Sequence, residues 1–337
     1  MGSMKKRVLV TGACGFIGAH VTKKLVDMGY AVHGVDDMTG ADYEFFVNEL
    51  SEYHVRTVPI GVTGVWERQK ESLETADIVV FEGDFTDPRI IRRLDQNMYS
   101  AVIHLAAEPS VQRSVEYPVS TYENNLQKTV ELFHICAKTN TKVVFASSAA
   151  VYGSATHGLG AAREDMATEP LSPYALQKLQ AEQVGTLFSS LYGLSITTLR
   201  FFNVYGPGQK GDSPYSTVIA SWTERAKQKL PLRLDGDGEQ TRDYIHVYDV
   251  ARACVSALEY TGTAILNIAS GVSVSNNKIL AILENYRNIE IINAPQRKGD
   301  IRHSRAAVKN AELKLNFAPA IQLRDGIEGL LGQSANE

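Results

Sequence analysis

The hydrophobic and polar positions of this chain follow two alternating patterns. Short apolar runs end in glycine or polar residues, as buried strands do. Longer segments between them carry apolar residues every three or four positions, which predicts amphipathic helices. The predicted strands are Lys6–Thr11, Tyr30–Asp36, Asp77–Phe81, Ala101–Ala107, Lys142–Ser148, Ser195–Phe202, Arg242–Val247, Ala264–Ile268 and Glu290–Asn293.

The predicted helices lie between these strands. They are Ala19–Met28, Tyr43–Tyr53, Asn124–Ala137, Tyr174–Leu191, Tyr215–Lys229, Asp249–Tyr260 and Ser275–Tyr286. Strands that alternate with helices over the first ~150 residues predict an α/β fold with a doubly wound parallel sheet. Residues 37–76 fit neither pattern well, and we assign them no function. We expect a Rossmann-type NAD-binding domain of residues 4–207, to which 243–269 return, and a smaller α/β substrate lobe of 208–242 and 270–337.

Composition and charge narrow the classes of partner. Apolar residues make up 44% of the chain and the net charge is −4, without any block rich in lysine and arginine. We therefore expect neither nucleic acid nor a membrane as a partner. The three cysteines, Cys14, Cys136 and Cys254, are too few and too widely spaced for a disulfide framework. They indicate reduced thiols in the cytoplasm, and no Cys/His spacing predicts a metal site.

A glycine-rich turn links the first strand to the first helix. Gly12, Gly15 and Gly18 follow the strand, and Asp36 ends the next strand, 18 residues after Gly18. Glycines allow a close approach to a pyrophosphate, and the N-terminus of the helix offers free N–H groups to it. The Asp36 carboxylate can accept hydrogen bonds from ribose hydroxyls and would repel the extra phosphate of NADP. The pattern predicts an NAD site.

A second group of residues suggests acid–base chemistry. Tyr174 and Lys178 are four residues apart and share a helix face, and Ser148 ends a predicted strand. A cation next to a phenol lowers the phenol's pKa, so these three residues would suit the oxidation of an alcohol. A tyrosine and a lysine at this spacing are also common as surface neighbours. The glycine turn favours the catalytic interpretation, because the NAD that it is predicted to bind is a hydride acceptor.

Several further side chains leave two interpretations open. Asp84 would contact the adenine amino group or serve as a turn carboxylate. His104, inside a predicted strand, fits a hydrogen-bonded core residue better than a base. Arg242, Arg297 and Arg302 are candidate ligands for an anion, or members of surface salt bridges.

Taken together, the motifs resemble those of the extended short-chain dehydrogenase/reductases, and within them the NAD-dependent nucleotide-sugar 4-epimerases. The resemblance covers Val8 to about Gly329. It rests on the glycine turn, on His104–Ala107, on Ser148 before Val151–Gly153, on Tyr174 and Lys178, on Arg200–Pro207, on Arg242–Val247 and on Gly299–Arg302.

The resemblance implies roles for individual residues. Tyr174, as a phenolate, would take the proton from O4 of the sugar, Lys178 would bind the nicotinamide ribose and lower the pKa of Tyr174, and Ser148 would bridge O4 and the tyrosine. The residues expected to contact NAD are Gly12, Gly15, Phe16, Ile17, Gly18, Asp36, Asp84, Phe85, Leu105, Ala106, Ala107, Asn124, Ser147, Tyr174 and Lys178. Those expected to contact a UDP-sugar are Ser148, Tyr174, Asn203, Arg242, Arg297, Asp300 and Ser304. A homodimer through the helices near Thr121–Ala137 and Tyr174–Leu191 is also implied.

Residue types separate the subclasses that the resemblance leaves. Sugar-nucleotide dehydratases carry an Asp-Glu pair where this chain has Ala149 and Ala150. Uronic-acid epimerases tend to have Thr and Arg where Asn203 and Gly208 stand. The residue at Ser304 would face the C2 substituent of the sugar, and a small residue there admits an N-acetyl group. We therefore expect interconversion of UDP-GlcNAc and UDP-GalNAc, with UDP-Glc and UDP-Gal as further substrates.

Two other functions stay open. Another sugar-nucleotide epimerase or reductase of this fold, acting on a uronate, ADP-heptose or GDP-sugar, would use the same three catalytic residues. A non-catalytic nucleotide-binding regulator would keep the glycine turn but would not need a low-pKa phenol. Glu108 is an unusual feature, because it sets a carboxylate in a loop expected to face the sugar or the cofactor.

Overall fold

The computed structural model describes residues 5–60, 76–153, 160–211, 216–285, 289–296 and 302–332. These residues form two compact units. The first contains residues 1–147, 172–199 and 251–265, and the second contains 148–171, 200–250 and 266–337. The predicted roles of an NAD-binding domain and a substrate lobe remain predictions.

Strands and helices alternate along most of the chain. The strands are β1 (Arg7–Thr11), β2 (Ala31–Asp36), β3 (Val55–Pro59), β4 (Ile78–Glu82), β5 (Ala101–His104), β6 (Lys142–Ser148), β7 (Ile196–Phe201), β8 (Asn203–Tyr205), β9 (Leu232–Asp235), β10 (Thr241–His246), β11 (Ala264–Ile268), β12 (Ser273–Ser275) and β13 (Ile291–Ala294).

The helices are, in chain order, α1 (Phe16–Asp27), α2 (Tyr43–Glu49), α3 (Pro88–Asp95), α4 (Val111–Glu116), α5 (Pro118–Tyr122), α6 (Lys128–Lys138), α7 (Pro173–Tyr192), α8 (Val218–Lys227), α9 (Val247–Glu259), α10 (Asn276–Glu284), α11 (Lys309–Leu315) and α12 (Leu323–Leu330). A π-helical turn, Glu123–Gln127, joins α5 to α6, and a 3₁₀ turn, Ala149–Tyr152, follows β6.

The predicted parallel sheet is present and has eight strands. Their order is β11-β7-β6-β5-β1-β2-β4-β3, and the pairs formed by β1 with β2 and with β5, by β5 with β6, and by β4 with β2 and with β3 are parallel. Strand β1 lies between β2 and β5 and is buried from Val8 to Thr11. The order changes direction next to β1, and open α/β sheets bind their ligands at such a point. The expected doubly wound α/β class is confirmed.

The prediction missed one strand of this sheet. Residues 55–59 form β3, which pairs only with β4 and so lies at the edge of the sheet. An edge strand is covered on fewer sides, and accordingly only Val58 of β3 is fully buried. Its sequence therefore lacks the continuous apolar run of a central strand, and Pro59 ends it. Residues 61–75 lie outside the described part of the chain.

The second unit has smaller sheets and its own core. Strand β10 pairs parallel with β8 and antiparallel with β12, and β13 pairs parallel with β9. Asp243 on β10 is fully buried, and its carboxylate accepts hydrogen bonds from the backbone N–H groups of Ser270, Gly271 and Ala306. These bonds join three chain segments of the second unit at β10.

Candidate active site

The glycine turn has the shape that the sequence predicts. Gly12 has a φ of +69°, and a Cβ atom there would lie 2.9 Å from the backbone nitrogen of Ala106. A Cβ atom on Gly18 would lie 1.9 Å from the carbonyl oxygen of Gly12. Only glycine fits either position, since one needs a left-handed backbone and both lack room for a side chain. Gly15 caps α1, and Phe16 and Ile17 form its first turn, so their N–H groups begin the helix.

Asp36 fixes the turn from the end of β2. Its Oδ2 atom accepts a hydrogen bond of 2.9 Å from the Cys14 N–H, and its Oδ1 atom accepts one of 2.9 Å from the Met38 N–H. Burial raises the pKa of this carboxyl group, and the backbone donors act against that rise. The carboxylate has about four acceptor sites, so the three backbone donors of Cys14, Gly15 and Met38 leave one for a ribose hydroxyl. The turn and the acid therefore fit a dinucleotide.

The wall next to the turn comes from β5 and the loop after it. The hydroxyl of Thr11 accepts hydrogen bonds of 3.2 Å from the N–H groups of Leu105 and Ala106, so the strand predicted for 101–107 ends at His104. His104 is buried, and its two ring nitrogens lie 2.6 and 2.9 Å from the hydroxyls of Thr11 and Thr129. Burial, helped by the charge of Lys178, lowers the pKa of His104 to about 3. It is a neutral core residue, as expected, and not a base.

The remaining expected NAD residues of this unit sit in tight local networks. Asp84 accepts hydrogen bonds from the backbone and hydroxyl of Thr86 and lies 2.6 Å from the Lys128 ammonium. Burial acts to raise the pKa of Asp84, but these partners outweigh it and hold the pKa below its usual value. This is the behaviour of a turn carboxylate, and its contact with adenine stays a prediction. Phe85 is buried, and its ring packs 4.9 Å from that of His104.

Asn124 lies in the π-helical turn, a feature that sequence periodicity did not indicate. Its neighbour Asn125 is buried and fixes the loop after β5. The side chain of Asn125 accepts a hydrogen bond from the Glu108 N–H at 2.8 Å and donates to the Glu108 carbonyl at 3.1 Å. It also donates to Gln177 on α7 at 2.9 Å. π-helical turns are frequent at functional sites, because one extra residue shifts the side chains that follow.

Helix α7 begins where the sequence predicted. The Ser172 hydroxyl accepts a hydrogen bond from the Ala175 N–H at 3.2 Å, and Pro173 occupies the first turn. Tyr174 follows at once, and its backbone N–H donates to the hydroxyl of Ser114 at 3.1 Å. Tyr174 is half-buried, whereas Lys178, one turn further along the same face, is only 3% exposed. Surface neighbours would not be buried in this way.

Lys178 is the most strongly perturbed lysine of the described chain. Its ammonium group donates to the Ala146 carbonyl at 2.8 Å and lies 4.9 Å from the centre of the Phe145 ring. Burial lowers the pKa of Lys178 to about 8, against the opposing charge of Glu182. Ser147 is buried beside it, and its hydroxyl donates to the Glu182 carboxylate. No pattern in the sequence marked Glu182 as a site residue.

The remaining candidate residues belong to the second unit. The Ser148 hydroxyl accepts a hydrogen bond of 3.1 Å from the Ala150 N–H and so caps the 3₁₀ turn. Asn203 begins β8, and Arg242 lies on β10; both are half-buried. Ser304 is also half-buried, and its N–H donates to the carbonyl of Thr241 at 3.1 Å. Arg242 and Ser304 therefore lie near each other.

Arg302 and Glu108 lie in loops, and the structure shows which residues they bind. Arg302 forms a two-pronged ion pair with Asp237, at 2.8 and 2.6 Å, as in the salt-bridge interpretation. Glu108 accepts a hydrogen bond from the Ser110 N–H at 3.0 Å and lies 3.2 Å from the Arg113 guanidinium, so its carboxylate braces its own loop. Arg297 and Asp300 lie outside the described residues. In the described ranges, no group of three or more His, Cys, Asp or Glu side chains has a metal-site arrangement.

Comparison with known proteins decides the family. The model of the NAD dependent epimerase/dehydratase family matches residues 8–269. This chain belongs to that family. A UDP-glucuronate 4-epimerase of Thermodesulfobacterium geofontis is 31% identical over 328 residues, which cover 95% of this chain and 93% of the relative.

Two solved structures of the same type superpose over nearly the whole chain. The UDP-N-acetylglucosamine 4-epimerase of Methanobrevibacter ruminantium, in complex with UDP-N-acetylmuramic acid, has a TM-score of 0.83 and 29% identity, with 97% of each chain covered. The UDP-glucose 4-epimerase of Thermus thermophilus, in complex with NAD, has a TM-score of 0.79 and 30% identity, with 97% of this chain and 98% of that chain covered.

The family settles part of the chemistry. The protein is an enzyme, an isomerase of the nucleotide-sugar 4-epimerase type, and its cofactor is NAD. The expected family, fold class and cofactor are thereby confirmed. No helix in the described residues is long and apolar enough to cross a membrane.

Proposed function

We propose that this enzyme interconverts UDP-GlcNAc and UDP-GalNAc by reversible oxidation at C4, and that it also accepts UDP-Glc and UDP-Gal. The proposal rests on one face of α7, here called the inner face, which carries Tyr174 and the buried Lys178. This face lies in the same unit as the glycine turn and Asp36. A buried cation one helical turn from a phenol is an arrangement for moving a proton.

The proposed roles follow from the chemistry of each side chain. Lys178 stabilises the phenolate of Tyr174, because an opposite charge nearby favours the ionised form. The phenolate accepts the proton of the sugar O4, and Ser148 donates a hydrogen bond to the same oxygen. NAD, when bound, supplies a reversible hydride acceptor. Tyr174 returns its proton after the 4-keto sugar has turned its other face, so the configuration at C4 is inverted.

Residues of the second unit are proposed to select the sugar nucleotide. Asn203, Arg242 and Arg297 would hold the diphosphate, and Asp300 the uridine ribose. Arginine suits this role because its planar group binds phosphate oxygens in pairs. Ser304 is the proposed specificity residue. Its side chain is small, and its backbone is held to Thr241, next to Arg242, which supports a site with room for an N-acetyl group.

The second candidate is a UDP-glucuronate 4-epimerase. It is favoured by the relative from T. geofontis, which carries that name at 31% identity. Asn203 and Gly208 speak against it, since the uronate enzymes tend to have Thr and Arg there. Both candidates share Tyr174, Lys178 and NAD and differ only in the group that the sugar presents.

A panel of nucleotide sugars tests the proposal. The NAD-loaded enzyme is incubated separately with UDP-GlcNAc, UDP-Glc, UDP-glucuronate, ADP-heptose and a GDP-hexose, and the products are identified by proton NMR. We expect UDP-GalNAc from UDP-GlcNAc. Turnover of UDP-glucuronate without turnover of UDP-GlcNAc would establish the second candidate, and no formation of UDP-GalNAc would refute the first.

We further propose that the enzyme is a cytoplasmic homodimer that serves polysaccharide biosynthesis. A groove between the segment 122–131 and α7 is lined by five apolar or aromatic side chains, Tyr122, Leu126, Val130, Val184 and Leu187, and by four polar ones, Gln127, Glu131, Gln180 and Gln183. Tyr122 and Leu187 are about half exposed, at 48% and 53%. A second copy would cover these apolar side chains. Light scattering on the purified protein should give twice the chain mass of 37.0 kDa, and the mass of one chain would refute the dimer.

A further inference from the structure

One buried carboxylate next to the catalytic helix face has no role in the proposed reaction. Glu182 lies on α7, four residues after Lys178 and eight after Tyr174, so the three side chains follow one face of the helix. Glu182 is 2% exposed and Lys178 is 3% exposed. Carboxylates are almost never buried to this extent unless they are paired.

Glu182 and Lys178 both hold the same strand end. The Lys178 ammonium donates to the Ala146 carbonyl at 2.8 Å, and the Ser147 hydroxyl donates to the Glu182 carboxylate. Ala146 and Ser147 are consecutive residues near the end of β6. Two adjacent residues of the strand are thus hydrogen-bonded to two successive turns of α7. The Glu182 carboxylate and the Lys178 ammonium group therefore lie at the same end of β6.

We propose that Glu182 is a positioning residue, whose carboxylate keeps Lys178 cationic and fixes the end of β6 against α7. The proposal rests on the proposed function, in which Lys178 must carry a charge to stabilise the Tyr174 phenolate. A desolvated ammonium group loses its proton readily. A negative charge one turn away opposes that loss: burial lowers the pKa of Lys178, and the Glu182 carboxylate acts to raise it.

The other groups around Lys178 do not replace Glu182 in this role. His104 on β5 senses the charge of Lys178 but is neutral, because burial keeps its pKa near 3. Phe145 on β6 offers only the face of its ring, and Ser147 only a hydroxyl. Tyr174 on α7 becomes an anion only during the proposed reaction. In the described surroundings, Glu182 is therefore the carboxylate that acts on Lys178 before substrate binds.

The direct test is a titration of Lys178 that needs no substrate. The protein is labelled with ¹³C-lysine, the Lys178 Cε signal is assigned by its loss in Lys178→Met, and its chemical shift is followed with pH. The wild type should titrate at about 8. In Glu182→Gln the midpoint should move to lower pH. An unchanged or higher midpoint would overturn the proposal.

The pH profile of turnover supplies the second readout. At pH 6.5 Glu182→Gln should turn over nearly as fast as the wild type, and by pH 8.5 it should be slower by up to about tenfold for each pKa unit by which the midpoint of Lys178 is lowered. A loss by the same factor at every pH would show a purely structural role and contradict the proposal. Should Glu182→Gln not fold, the double variant Ser147→Ala/Glu182→Met removes the same charge together with the buried hydroxyl that would lose its acceptor.

A matched control separates the effect of the Glu182 charge from the effect of the protein's net charge. Glu44 on α2 is exposed in the same unit, so Glu44→Gln makes the same change of charge and should leave both the midpoint and the profile of the wild type unchanged. A shift as large in Glu44→Gln would overturn the proposal. The two hypotheses fail separately: if the wild type converts none of the sugars, the proposed function is wrong, whereas the titration still judges Glu182.

Discussion

The inner face of α7 and the segment around Arg242 and Ser304 are built in different ways. Lys178 is buried and donates to a backbone carbonyl, and Glu182 beside it is buried too. Arg242 and Ser304 are half-buried, and Ser304 is held through its own backbone. In the first region Lys178 and Glu182 are each hydrogen-bonded to the end of β6 inside the protein core. In the second region the Arg242 guanidinium donates to the Thr241 carbonyl at 2.9 Å, so a partner of this group is a backbone atom at the edge of the core and not a buried charge.

This difference indicates how the two regions divide the work. Substitutions of Lys178 and Glu182 on α7 should change the rate and the stability of the enzyme, because these two side chains are buried. Substitutions near Ser304 should change which sugar reacts and should leave the chemical step intact.

Tyr174→Phe should lower kcat for UDP-GlcNAc by about 10³-fold, since a positioned acid–base group contributes roughly 10² to 10⁴. NAD should stay bound, which absorbance and mass spectrometry of the denatured protein can measure. Tyr192→Phe is the matched control, because Tyr192 ends the same helix and is 55% exposed. Near-normal turnover by Tyr174→Phe would remove the assigned base.

The charge of Lys178 should be visible in the pH dependence of stability. Its pKa is about 8 in the folded protein and 10.5 when exposed, so between these values the unfolded chain binds more protons. The free energy of unfolding of the wild type, minus that of Lys178→Met, should therefore rise with pH across this window, by about 3 kcal/mol in total. Urea unfolding of both proteins at pH 7.5, 9 and 10.5 measures the difference. A difference that does not change with pH would contradict the buried cation.

The glycine turn provides a prediction with an internal control. Gly18→Ala places a Cβ atom 1.9 Å from the Gly12 carbonyl oxygen, whereas in Gly15→Ala the distance is 3.4 Å, an ordinary contact. Overpacking of this kind costs about 1–3 kcal/mol, so Gly18→Ala should be less stable by that amount and Gly15→Ala nearly unchanged. Denaturant unfolding without NAD measures the free energy of unfolding of both variants. Equal values for the two would show that the turn is not closely packed.

The smallest effect should fall on selectivity. Ser304→Tyr should lower kcat/KM for UDP-GlcNAc by roughly 10- to 100-fold and leave that for UDP-Glc little changed, since a steric difference in a pocket is worth about 1–3 kcal/mol. Initial rates with both sugars measure the ratio. Equal losses for both sugars would show that Ser304 does not face the C2 substituent.

Much of the first unit could be predicted from the sequence, because the motifs that define it are local. The glycine turn, Asp36, and the start of α7 at Ser172 and Pro173 are short motifs whose physical cause lies within one or two elements. Strand β6 was predicted with its observed bounds, 142–148, because a central strand is a continuous apolar run.

The missing parts depend on contacts between distant residues. Strand β3 is an edge strand without an apolar run, and the π-helical turn that holds Asn124 also holds Asn125, which is hydrogen-bonded to Glu108 and Gln177. Glu182 reads as an ordinary helix carboxylate until Ser147 is placed against it. The same limit applied to Arg302, whose partner Asp237 is 65 residues away.

The proposed reaction oxidises C4 of the sugar and then reduces it within one enzyme-bound complex. Incubation of the enzyme with UDP-GlcNAc that carries deuterium at C4, in ordinary water, reveals this when the product is analysed by NMR and mass spectrometry. We expect UDP-GalNAc that retains deuterium at C4 through repeated turnovers. UDP-GalNAc with hydrogen at C4 would show exchange with solvent and would refute the proposed reaction.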